Sequence, residues 1–190
     1  MLNASTVVVP HCKKILEASL TGLASYEVPN LDVKSCAYLV TISGTVSGTD
    51  FGIRFDNIAS HVYGSFITNM YTGSTAASST MHQGYTYILA GSGHETMSRV
   101  EFTLDTFLGE CVIATGHAFS QGADTGYTRQ FCGYSRPNDN SNFTLSFFTL
   151  AGTKFGHGII RVYELGVRGG RSSYIVLLLF LKKKGGQSKC

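Results

Sequence analysis

Tryptophan is missing from this chain of 190 residues, proline occurs three times, and charged side chains make up only 14% of it. So little charge, beside abundant Gly, Ser, Thr, Tyr and Phe, suits short strands and turns and argues against disorder and against a helical bundle. The five cysteines (Cys12, Cys36, Cys111, Cys132 and Cys190) contain no CxxC pair. Neither a zinc ribbon nor a disulfide framework fits that scatter. Cys36, Cys111 and Cys132 are expected to be small buried apolar side chains, kept as thiols in a reducing compartment. The first residues, MLNASTVVVPHCKK, lack the basic start and apolar core of a signal peptide, so none is expected. The apolar run from Tyr174 to Leu181 is eight residues long. A membrane-spanning helix needs about 20, so no transmembrane helix is expected.

Acidic residues are absent after Glu164, whereas Arg168, Arg171, Lys182, Lys183, Lys184 and Lys189 all follow it. The formal charge of +3 therefore conceals a body with nine basic and twelve acidic residues. Such a body gains nothing from releasing phosphate counterions, so it is not expected to bind nucleic acid through its main domain.

Catalytic motifs are equally scarce. HETMS, from His94 to Ser98, lacks the second histidine of a zinc-protease helix, and GSGHET lacks the last glycine of a dinucleotide loop. There is no GxSxG elbow and no GxxxxGK[ST] phosphate cradle. Loop histidines such as His61, His82 and His94 follow no metal-ligand spacing. The carboxylates Asp50, Asp56, Glu95, Glu101 and Asp105 fall on outward faces or in turns, where an acid keeps its ordinary pKa. No catalytic residue, metal ligand or cofactor is assigned, and the chain is read as a non-enzyme.

What the sequence does have is alternation. In RVEFTLD, Val100, Phe102 and Leu104 should face inward; in FGIRFDN, Phe51, Ile53 and Phe55; in FTLSFFTL, Phe143, Leu145 and Phe147. YLVTIS (Tyr38 to Ser43) and YTYILA (Tyr85 to Ala90) read as further strands. SGTVSGTD (Ser43 to Asp50), TGSTAASST (Thr72 to Thr80), GSGHET (Gly91 to Thr96) and SRPNDNSN (Ser135 to Asn142) carry turn chemistry. KKILEASLTGLAS, from Lys13 to Ser25, fits helix and strand equally well. About ten short strands at this spacing predict an all-β fold, an antiparallel jelly-roll-like β-sandwich. The predicted organisation is an N-terminal arm (1–13), a sandwich domain (14–166) and a C-terminal extension (167–190).

Three stretches suggest recognition loops: HVYGSF, MYTGSTAASST and GYSRPNDNSN. Their tyrosines, amides and small polar residues suit adaptable contact with protein or carbohydrate. His61, Tyr63, Tyr71, Tyr134, Arg136 and Asn138 are the candidates, set against a plainer reading as turns and edge-strand residues. In the extension, Tyr174, Ile175, Leu178 and Phe180 form a candidate assembly arm that could add a strand to a neighbour. Two other readings of that segment stay open: a non-native or read-through extension, and a basic contact to nucleic acid or an anionic surface.

The order of a YLVTIS strand, a Gly/Ser/Thr turn, Asp50 and an FGIRF strand resembles a module of tailed-bacteriophage virion proteins. KILEASLTGLASYEV at the start and GIIRVYELG at the end resemble it too. The likeness spans about Lys14 to Gly166. It implies a virion structural protein of tail-fibre or head-surface type, made in the host cytoplasm. It also implies a homo-oligomer that meets other virion proteins and, through its loops, a host-surface glycan. The rival is a carbohydrate-binding or glycan-cleaving sandwich with a concave face lined by Tyr85, Tyr87, Tyr127 and Tyr134.

Overall fold

The computed structural model describes residues 12–46, 48–58, 63–71, 77–93, 97–107, 111–121, 126–136 and 141–167. Among them are twelve strands and no helix: β1 (Lys13–Ser19), β2 (Ser25–Leu31), β3 (Cys36–Thr45), β4 (Asp50–Phe55), β5 (Tyr63–Tyr71), β6 (Ala77–Tyr85), β7 (Ile88–Ser92), β8 (Met97–Phe107), β9 (Cys111–Gln121), β10 (Gly126–Ser135), β11 (Phe143–Thr149) and β12 (His157–Val167). They form two antiparallel sheets. Eight strands run in the order β1-β12-β3-β8-β9-β10-β5-β6, and four in the order β2-β11-β4-β7.

Alternation places the core between the sheets. Val100, Phe102 and Leu104 of β8, Phe51, Ile53 and Phe55 of β4, and Phe143, Leu145 and Phe147 of β11 are all buried, as their period of two requires. With no tryptophan to fill the interior, phenylalanines do so. Phe51 stacks on Phe155 at 5.8 Å and tilts against Phe147 at 5.2 Å. At the other end Phe55 meets Tyr63 and Phe143 edge-on. Such pairs each contribute about 0.5–1.5 kcal/mol beyond the area they bury.

Several boundaries differ from the sequence reading. KKILEASLTGLAS resolves into β1 and a turn, with Gly22 at φ +79. YTYILA is not one strand: Tyr85 ends β6 in the large sheet, and Ile88 opens β7 in the small one. The chain changes sheets at Thr86 and Tyr87, so a single alternation count runs across two layers. Ala77 to Thr80, expected in a turn, pair with Met70 to Ile67 of β5. Cys36 is buried as expected, but Cys111 is half-buried and Cys132 is exposed. Cys132 follows inward Phe131, so the period of two turns it outward.

Tyr63 illustrates how the layers are joined. The β4–β7 ladder stops at Ile53. Two residues further, the Phe55 N–H donates to the Tyr63 hydroxyl at 2.9 Å, and that hydroxyl donates to the Phe55 carbonyl at 3.2 Å. Phe55 faces Leu145 of β11 on one side, and on the side that β7 does not reach one phenol from the large sheet satisfies its backbone N–H and carbonyl.

Candidate interaction face

The outer face of the eight-stranded sheet divides into two chemically different halves. On the half built from β1, β12, β3 and β8, charges are present and several of them are paired. Arg161 and Lys14 donate to Glu17 at 2.8 and 2.9 Å, and Arg99 donates to Glu101 at 2.8 Å. Lys14 and then Arg161 hold the Glu17 carboxyl below the usual carboxylate range through these hydrogen bonds.

The half built from β9, β10, β5 and β6 is different. Those four strands contain one formally charged residue, Arg129. It points inward at 8% exposure, with its guanidinium 3.8 Å from Asp50 of the small sheet and 5.3 Å from the Tyr127 ring. Outward stand Phe66 (47% exposed), Met70 (43%), Met81 (68%) and Tyr134 (52%).

Strand register determines how these side chains meet. Cys132 lies between Thr115 on β9 and Phe66 on β5, and Phe66 lies opposite Met81 on β6. The next row, two residues along, runs His117, Gln130, Thr68 and Ser79. Within these rows Thr115 donates to the Cys132 sulfur at 3.6 Å, and the Thr68 and Ser79 hydroxyls share a hydrogen bond of 3.2 Å. A shallow groove of about 480 Å³ lies here, lined by Phe66, Thr68, Thr115, His117, Gln130 and Cys132 among others. The result is a nearly charge-free surface on which an apolar pair, Phe66 and Met81, adjoins a row of hydroxyls, an amide and an imidazole.

The residues singled out from the sequence separate under this geometry. Tyr134 belongs to the face, but on strand β10 rather than in a loop. Tyr63 is 1% exposed and is corrected from a recognition residue to a core one. Arg136 follows β10 at the surface, and its Nε donates to the Cys111 sulfur at 3.5 Å. The backbone of Tyr71 pairs with Tyr127, while its side chain lies outside the described ones. His61, Asn138, Tyr174, Ile175, Leu178 and Phe180 lie outside the described residues.

The tyrosines proposed for a sugar-lined face do not share one. Tyr134 is outermost, Tyr127 lies on the inner side with Arg129, and Tyr87 packs edge-on against Phe148 of the small sheet; the Tyr85 side chain is outside the described set. The carboxylates are dispersed as well. Asp56 accepts the Thr144 N–H at 2.9 Å in the turn after β4, Asp105 accepts the Thr106 N–H, and Glu101 meets Arg99. Among the described residues no group of three His, Cys, Asp or Glu could hold a metal ion.

Phe66 and Met70 end and begin two stretches read as recognition loops, HVYGSF and MYTGSTAASST, but were not singled out within them, and Met81 follows the second; all three sit among Ser, Thr and Gly that resemble turns. The usable signal was the near absence of charge from four neighbouring strands. Comparison with known proteins adds no relative: no family model, no curated protein and no solved structure matches this chain.

Proposed function

We propose that this protein is a non-enzymatic structural component that works by association, through the outer face of β9, β10, β5 and β6. The observation that carries this reading is the coincidence of Phe66, Met70, Met81 and Tyr134 at the surface of strands whose single charge is turned inward. Exposing large apolar side chains in one patch costs solubility, and an occupied interface offsets that cost.

Strand order supports a finer fold assignment. Taken alone, β1-β12-β3-β8 facing β2-β11-β4-β7 interleaves in the manner of a two-Greek-key jelly roll. The hairpins β5–β6 and β9–β10 then widen one of its sheets. Jelly rolls commonly serve as capsid and lectin subunits. With the sequence likeness of Lys14 to Gly166 to phage virion modules, this supports a tail-fibre or head-surface role, although fold alone does not fix function.

Light scattering on the full chain tests the association. Phe66→Ser combined with Tyr134→Glu should reduce the assembled mass while leaving the β-rich circular dichroism unchanged; an unaltered mass would overturn the role of this face. Retention on a glycan array that Gln130→Ala abolishes would instead favour the carbohydrate-binding alternative.

A further inference from the structure

Sheet edges are templates for further strands, and proteins usually protect them. Of the four edges described here, three carry protection. β1 bears Lys13 and Lys14 and a register shift between Lys14 and Leu16. β2 contains Pro29 and, beside it, Asn30 in the left-handed region at φ 61. β7 is only five residues long. The fourth, β6, runs nine residues as ASSTMHQGY with neither proline nor formal charge, and among the described residues no strand pairs with its other side.

We propose that β6 is a dimerisation edge: two copies of this chain pair their β6 strands antiparallel about a two-fold axis near Met81, continuing the large sheet from one copy into the other. Charge selects a second copy as the occupant. A two-fold axis sets each residue of β6 opposite a residue of the same strand, so a like-charged strand would repel itself, and β6 has no charge to do so. Register points the same way: Met81 lies opposite Phe66 of its own copy, so pairing about Met81 sets the two exposed methionines against each other and continues the apolar row across the axis as Phe66, Met81, Met81 and Phe66. The inference rests on the association reading above, names a second copy as one partner, and sets that contact at the β6 edge, beside the outer face rather than on it.

Sedimentation of the full chain tests it with Met81→Lys and Met81→Glu. Met81 is 68% exposed, so either charge reaches water in a monomer and the fold should hold, with circular dichroism as the check. Each variant alone should weaken the dimer roughly 100-fold by setting like charges across the axis. An equimolar mixture should regain it. A monomeric wild type at the highest soluble concentration overturns the proposal. So does a dimer indifferent to both variants, in which case the Phe66/Tyr134 test still decides separately whether the outer face associates. A dimer lost only when the chain is ended at Val167 would assign the seam to the segment containing Tyr174 to Leu181 and overturn it too.

Discussion

At the scale of single residues, Tyr63 concentrates the lesson of this fold. HVYGSF has the composition of a turn, yet Tyr63 and Ile67 keep the odd-numbered rhythm of a strand and both are buried. The rhythm was legible; the second partner, Phe55 of the other sheet, was not, because hydrogen bonds between layers leave no periodic trace. Tyr63→Phe removes the hydroxyl that serves both the N–H and the carbonyl of Phe55. A loss of about 1–3 kcal/mol is expected, read as a lower urea midpoint. Burial pushes the Tyr63 phenol above its ordinary value, against the pull of the Phe55 hydrogen bond, and burial raises Tyr38 likewise. In the unfolded chain such phenols ionise near pH 10. The stability from keeping them protonated is therefore complete below that pH and is lost as pH rises through the raised folded values. Above about pH 10 the wild-type midpoint should fall more steeply than that of Tyr63→Phe. Equal slopes would remove Tyr63 from the account.

Among the elements, β8, β4, β11 and β3 were readable because each keeps one face buried along its length. β6 and β7 were not. Their boundary falls inside YTYILA, where the change of sheet occurs without glycine or proline. Close approach of backbones was equally hidden. β8 and β9 lie so near each other at Phe102 and Gly116 that a methyl on Gly116 would meet the Glu101 carbonyl and lie 2.7 Å from the Phe102 Cα. These are backbone atoms and cannot swing aside. Gly116→Ala should therefore cost about 1–3 kcal/mol by overpacking, whereas Thr115→Ala next to it, on the exposed face, should shift the urea midpoint far less. If both shift it equally, the close approach is not what requires glycine.

At the scale of the whole molecule, the all-β character followed from alternation and turn chemistry, but the unequal widths of the two sheets did not. Width depends on β10 pairing with β5, a contact between hairpins from separate parts of the chain. No local pattern encodes which hairpin lies beside which. The sequence domain reading, with a fold closing near Gly166, leads to a further expectation. The last described pairing is Val167 with Cys36, so a chain ended at Val167 keeps every ladder described here. It should melt at the wild-type midpoint with the wild-type mass in solution; a lower mass would give Tyr174 to Leu181 a part in assembly. The position of β12, between β1 and β3, has a consequence for biosynthesis. A ribosome releases Val40 and Ile42 long before Ile160 and Val162, the residues that face them across the ladder. Until that last strand emerges, the lane between β1 and β3 is empty and one side of β3 is an open edge, so the nascent chain must be shielded from its neighbours on the polysome.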